Sequence, residues 1–304
     1  MSVAGNPQPA YRVLREPRRE VLHVRGLDLS LRRWGTPPSP LAPPIFLLHG
    51  WLDTGDSFQF IVDAFAHDWP FVALDWRGFG RSQWSQDGYW FPDYLADLDA
   101  VLDLLSPGVP VHLIGHSMGG NIATLYAGLR PERVRSVVNL EGFGLPDTKP
   151  SDAPGRLRQW LAEVKAAPAL KEYESLAQLA AIIGHRYPRI PPERCAYLAA
   201  TWSTVNPDGR LRLLGDARHY RVNPILYRRE EAEACWRGVR APLQLLLADE
   251  SPYLIKLGQQ AIAERFRACI PHVEIVNMAG VGHLLHIESP EVIAPLIEAF
   301  LLAN

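Results

Sequence analysis

Cysteine is scarce in this 304-residue chain: Cys195, Cys235 and Cys269 stand far apart, in no CxxC or CxxH spacing. That argues against a disulfide framework and against a zinc site. An excess of one charge is also missing, since 31 Lys and Arg face 33 Asp and Glu for a formal charge of −2. No global field therefore selects nucleic acid or an anionic membrane. No apolar run approaches the length that spans a bilayer, and the first residues, MSVAGNPQPAYRVLREPRRE, hold no apolar core of a secretory signal. No internal repeat or low-complexity tract occurs. These absences lead to the expectation of a cytoplasmic protein, monomer or homodimer, that acts on a small molecule without metal or organic cofactor.

What is present centres on PVHLIGHSMGGNIATLYAGLR, residues 110–130. An apolar run, Val111 to Ile114, ends in Gly115-His116-Ser117-Met118-Gly119-Gly120, and a helical pattern with Ile122, Leu125, Tyr126 and Leu129 on one side follows at once. This predicts strand, sharp turn and helix. A serine at such a turn is held in a strained conformation, and glycines two before and two after it let neighbouring chain come close. Its hydroxyl then stands above the carboxyl ends of a parallel sheet, beside the amide of Met118. The same glycine-rich stretch could instead be a helix entrance capped by a serine.

Around this centre the chain reads as an α/β domain. A hairpin over Val21–Arg25 and Leu27–Trp34 turns at Gly26. Apolar strands are predicted at Ile45–Leu48, Phe71–Leu74, Val134–Leu140, Leu243–Leu247 and Val273–Val276. Between them lie a helix bearing Phe58, Ile61, Val62 and Phe65, capped by Asp56 or Ser57, and helices over about Pro92–Leu105 and Leu254–Phe266. A final helix closes the chain. The expected organisation is an N-terminal arm at 1–18, a core at 19–145 and 241–304, and a helical cap inserted at 146–240. The sheet should have about eight mostly parallel strands with helices on both faces.

A serine hydroxyl needs a base, a group that orients the base, and donors for an oxyanion. His283, in AGVGHLLHIESPE, sits late in the chain between the last strand and the last helix, with glycines that allow a turn; His286 is the alternative. The Met118 amide and that of Trp51, after His49-Gly50, are the candidate oxyanion donors. His49 reads as a brace for its loop and His116 as a packed ring rather than a base.

The motifs HGW, DWRGFGRS, GHSMGG and GVGHLLHIESPE, in this order, resemble the α/β-hydrolase fold superfamily over nearly the whole chain except arm and cap. The resemblance implies hydrolysis at Ser117, while substrate stays open among esters, thioesters and diketone C–C bonds. In most of that family the acid follows the strand expected at Leu243–Leu247, where this chain has Ala248-Asp249-Glu250-Ser251, with Ser251 in the matching place. A second arrangement, resembling a haloalkane dehalogenase subgroup, places the acid at the end of the strand after the nucleophile helix, and Glu141 stands there. A glutamate buried at a strand end needs a partner, which favours pairing Glu141 with His283 over Asp249 or Glu250. Asp75 and Arg77 are expected to hold their own loop, and Asp53 and Asp56 to serve a turn and a helix start. Cap arginines such as Arg218, Arg221, Arg228 and Arg229 either recognise an anionic tail or are solvated. The expectation is a serine hydrolase of a small to medium carboxylic ester, with Ser117, His283 and Glu141 as triad. Thioester or C–C hydrolysis, and a low-turnover ligand-binding protein that keeps the triad, are the rivals.

Overall fold

In the computed structural model, residues 11–39, 43–166 and 169–304 are described. Of the arm expected at 1–18, residues 1–10 lie outside the described residues, as do 40–42 of the proline-rich loop and 167–168 of the insert. The remainder of the arm is tied down. The Tyr11 hydroxyl donates to Asp63 Oδ2 at 2.9 Å, and the Arg15 guanidinium donates to the Val62 and Phe65 carbonyls at 2.7 and 2.9 Å.

The hairpin is β1 (Arg18–Val24) and β2 (Leu27–Trp34), antiparallel about Arg25-Gly26, both with positive φ. Next come β3 (Ile45–Leu48), a 3-10 turn at Gly55–Phe58, α1 (Gln59–Ala64) and β4 (Phe71–Leu74). The turn is capped by Thr54, whose side chain accepts from the Asp56 amide, rather than by Asp56 or Ser57. Asp56 has another use: it lies buried with Asp75 against Arg32, at 2.5 and 2.8 Å. Then follow α2 (Phe91–Leu105), β5 (Val111–His116), α3 (Met118–Leu129) and β6 (Val134–Leu140).

The segment between β6 and the next sheet strand carries α4 (Ala153–Lys165), β7 (Glu172–Tyr173), α5 (Leu176–Arg186), α6 (Pro192–Thr201), β8 (Ser203–Val205), β9 (Leu211–Leu213) and α7 (Arg229–Trp236). It is therefore not purely helical, because β7, β9 and β8 form a small antiparallel sheet. Strands of two or three residues are too short to leave an alternation in sequence. The chain returns with β10 (Leu243–Ala248), α8 (Pro252–Leu257), α9 (Gln259–Cys269), β11 (Glu274–Met278), α10 (Leu285–Glu288) and α11 (Pro290–Ala303). The single helix expected over Leu254–Phe266 is broken at Gly258, whose φ of +84° a helix cannot contain.

The main sheet has eight strands in the order β1-β2-β4-β3-β5-β6-β10-β11, parallel from β4 to β11. Its alternation splits the core in two. Phe46, Leu48, Val72 and Leu113 face α2, α3 and α9, while Ile45, Leu47, Ala73 and Ile114 face α1, α10 and α11. A third apolar cluster joins Leu179, Ile183 and Leu198 of the insert to Phe60, Leu284 and Ile287, so the insert is seated on the carboxyl ends of the strands. No helix among the described residues is long and apolar enough to cross a membrane.

Candidate active site

Ser117 stands alone between the last residue of β5 and the first of α3, at φ 51° and ψ −112°, a strained backbone for a residue with a side chain. The flanking glycines are demanded by space. A β-carbon at Gly115 would lie 2.3 Å from the Gly119 carbonyl oxygen, and one at Gly119 would lie 1.9 Å from that of Leu48. The turn is fixed by the Ser117 amide donating to the Leu140 carbonyl at 2.8 Å, which ties it to the end of β6.

At that end sits Glu141, φ 60° and 2 % exposed. Its Oε1 accepts from the Ala248 amide at 2.7 Å, and its Oε2 lies 3.3 Å from His283 Nδ1. On the other side of the ring, His283 Nε2 lies 3.1 Å from Ser117 Oγ. A consistent proton assignment has the serine hydroxyl donating to Nε2 and Nδ1–H donating to the carboxylate. Tyr253 covers the ring, with centroids 4.5 Å apart. The other acid candidates face elsewhere: Asp249 accepts from the Gly280 amide, Glu250 pairs with Arg189, and buried Ser251 caps α8.

Two residues that sequence reasoning missed hold this arrangement. The Asn139 side-chain amide donates to the Thr124 hydroxyl and the Gly142 carbonyl, both at 2.8 Å, and its oxygen accepts from the Gly142 amide at 2.7 Å. It thus locks the bend that presents Glu141. Glu288 accepts from the Gly282 amide at 2.7 Å and closes the His283 loop. The only signals were an amide at the end of an apolar strand and an acid after HLLHI.

The expected oxyanion donors flank the serine. Met118 is the first residue of α3, where backbone amides lack helical partners. Trp51 follows Gly50, at which a β-carbon would come within 3.3 Å of Ser117 Cβ. Its ring is half-exposed and meets Tyr220 edge-on at 5.4 Å. The loop is braced by His49, whose Nδ1 donates to the Gly50 carbonyl at 2.7 Å and whose Nε2 accepts from the Trp76 amide at 3.0 Å. Accepting at Nε2 requires the neutral ring, and burial holds its pKa below the usual histidine value.

Beneath the triad, His116 donates through Nε2 to the His283 carbonyl at 2.9 Å, and burial holds this ring well below its ordinary pKa. His286 is buried beside it, with Nε2 3.4 Å from Ser57 Oγ. With Asp53 these two histidines bring one potential ligand atom each within 4.8 Å, close enough to hold an ion. Asp53 is occupied locally, accepting from the Thr54 amide at 2.7 Å and the Ser57 hydroxyl at 2.8 Å. Asp75 and Arg77 lie outside the triad: Arg77 pairs with Asp97 at 2.5 Å and Asp75 with Arg32. Arg229 donates to the Phe143 and Leu145 carbonyls, and Arg218 pairs with Asp216 at 2.5 Å.

The model of the alpha/beta hydrolase fold matches residues 43–290, and the chain belongs to this family. A serine hydrolase-like protein of Danio rerio is 28% identical over 274 residues, covering 85% of this chain and 81% of its own length. The 2-(acetamidomethylene)succinate hydrolase of Mesorhizobium japonicum is 26% identical over 276 residues, covering 90% and 92% of the two chains. Among solved structures, the thioesterase domain from the curacin biosynthetic pathway superposes with a TM-score of 0.82 at 25% identity, covering 93% of this chain and 99% of the domain.

Proposed function

We propose that the chain is a serine hydrolase that cleaves a carboxylic ester through an acyl-enzyme on Ser117. The observation that carries this reading is the relay from Ser117 Oγ through both nitrogens of His283 to Glu141, at 3.1 and 3.3 Å. In the first half-reaction Ser117 Oγ bonds to the ester carbonyl carbon while its proton passes to His283 Nε2. The carbonyl oxygen takes negative charge, and in this reading the Trp51 and Met118 amides receive it. Collapse breaks the bond to the leaving oxygen, which takes the proton from Nε2. Water then repeats the sequence in reverse roles and releases the acid. Glu141 orients the ring and stabilises its cationic form, itself held by the Ala248 amide. In this reading residues 146–240 act as a cap. They share with the core a cleft of about 200 Å³ at His283, lined also by Tyr187 and Tyr253.

Thioester cleavage is the second reading, favoured by the likeness to the curacin thioesterase domain. The test is intact mass after a fluorophosphonate probe on wild type and Ser117→Ala, with matched oxygen and thiol esters as substrates. Labelling and turnover are expected in wild type, with a loss in Ser117→Ala of roughly 10⁴-fold or more. A folded wild type that neither labels nor turns over would favour the ligand-binding reading instead.

A further inference from the structure

The cleft of about 200 Å³ at His283 is also lined by Arg186, Tyr187, Arg189, Glu250 and Tyr253. Two arginines there face one carboxylate. Arg189 pairs with Glu250, whereas Arg186, the last residue of α5, has neither an ion pair nor a hydrogen bond among the described residues. Glu288, the next acid along the His283 loop, is committed to the Gly282 amide at 2.7 Å and does not line the cleft. The Arg186 guanidinium lies over the Tyr187 ring at 5.4 Å, which supports its face and leaves its donor edge unused. One positive charge is left over on a wall shared with the catalytic histidine.

The phenol hydroxyls around this charge are uncommitted too. Tyr11, Tyr89 and Tyr126 give their hydroxyls to Asp63, Asp216 and Asp99 at 2.9, 2.7 and 2.7 Å. Those of Tyr173, Tyr187 and Tyr220 have no hydrogen-bond partner among the described residues; burial raises the pKa of all three, and the Arg186 charge draws each back. The three hydroxyls therefore share one electrostatic neighbourhood with the guanidinium. Their rings tie that neighbourhood to the serine. Tyr173 belongs to the apolar cluster that includes Leu284, next to His283, while Tyr220 packs on Trp51, which follows the glycine that touches Ser117. Arg186 thus acts on hydroxyls from both the His283 side and the Trp51 side of Ser117.

His283 must hand a proton from Nε2 to the leaving oxygen, so the leaving group departs beside the ring that lines this cleft. We propose that Arg186, with the Tyr187 hydroxyl, receives a carboxylate carried by the leaving alcohol, so that the preferred substrates are esters formed on the hydroxyl of a hydroxy acid. Ser117 Oγ bonds to the acyl carbon, the bond to the hydroxy acid's oxygen breaks, and that oxygen takes the proton from His283. Water then releases the acyl group as its acid. This rests on the hydrolytic reading above for its chemistry but not for its binding. Guanidinium contacts to a carboxylate are the strong kind of hydrogen bond, and a phenol can add a further donor.

The experiment compares butyryl esters of glycolic, 3-hydroxypropanoic and 4-hydroxybutanoic acids with butyryl esters of the corresponding neutral hydroxy amides, on wild type, R186Q and R186K, by release of butyrate. At one spacer length the acid is expected to exceed its amide in kcat/KM by about tenfold, through KM rather than kcat. R186Q should erase that preference and leave the neutral ester unchanged, R186K should keep part of it, and rising salt should shrink it in wild type. In parallel, calorimetry of the free hydroxy acids and hydroxy amides on Ser117→Ala reads the cleft without turnover. Binding that requires the carboxylate and is lost in S117A/R186Q supports the proposal even if no ester is cleaved, in which case only the hydrolytic reading falls. Equal handling of acid and amide, or a carboxylate preference that survives R186Q in rate or in binding, overturns the proposal.

Discussion

Charged side chains at the strand ends of the sheet domain contrast with two arginines in the segment between β6 and β10. Near the strand ends of the sheet they are buried and matched: Arg32 is 0 % exposed between Asp56 and Asp75, and Arg77 is closed against Asp97. In the insert Arg212 and Arg221 face a cavity without a carboxylate partner among the described residues, and α4 buries none of its side chains. A buried ion pair costs much desolvation and tolerates no loss of a partner, so it fixes geometry. A half-exposed arginine costs little and stays available to a ligand. The buried pairs thus fix the loops at the strand ends, and the two insert arginines stay free of ion pairs among the described residues.

The comparison is broken most sharply at Glu141. Glu141→Gln should lower kcat by about 10⁴-fold, as expected for loss of the group that orients and charges a catalytic imidazole. Glu250→Gln should leave kcat within a few-fold, and Ser251→Ala should cost only about 1 kcal/mol of stability through its helix cap. Steady-state rates on one ester decide it; full activity in Glu141→Gln would remove this acid from the site. Next in size, Arg32→Gln strands two buried carboxylates and should destabilise by about 3 kcal/mol, the low end for such a break because Arg19 still reaches Asp56 at 2.7 Å. Urea unfolding measures this, and an unchanged midpoint would mean that the buried cluster contributes nothing to stability.

A pH effect should follow from the core as well. His112 lies buried in β5 with Nδ1 2.7 Å from Ser136 Oγ, and burial lowers its pKa to about 4. The unfolded ring, near 6.5, binds a proton more readily than the folded one. Its contribution is therefore complete above about pH 6.5 and is lost as pH falls towards 4, by on the order of 3 kcal/mol. His112→Asn should flatten the stability profile in that window, and an identical slope in both proteins would refute the assignment. The smallest effect belongs to the insert: Arg189→Ala removes an exposed pair with Glu250 and should change stability by less than about 1 kcal/mol. A several-fold change in KM with constant kcat would show that this contact guards the cleft at His283.

Much of the sheet could be read in advance because parallel strands buried on both faces leave continuous apolar runs, as Ile45–Leu48 and Phe71–Leu74 do. Gly115 and Gly119 made the Ser117 turn legible, since only glycine survives such close carbonyls. Glu141 was legible as a charge at the end of an apolar run. Asn139, Glu288 and the Thr54 cap were not, because each works through a backbone group whose position depends on the folded loop. The three short strands of the insert were missed for lack of length, and the split at Gly258 because one glycine in a helical pattern does not by itself announce a break.

Glu141 hangs from β6 and is clasped by the end of β10, which relieves the stretch after β10 of duties at the triad. The exposed positions of residues 252–257 can therefore act as a replaceable rim. Exposed Tyr253 stands there beside the cleft, on a short helix whose one buried residue is Leu254. For anyone wishing to retune this protein, that rim is the natural place to randomise, since new sequences there would alter the cleft at His283 while Glu141 stays anchored between β6 and β10.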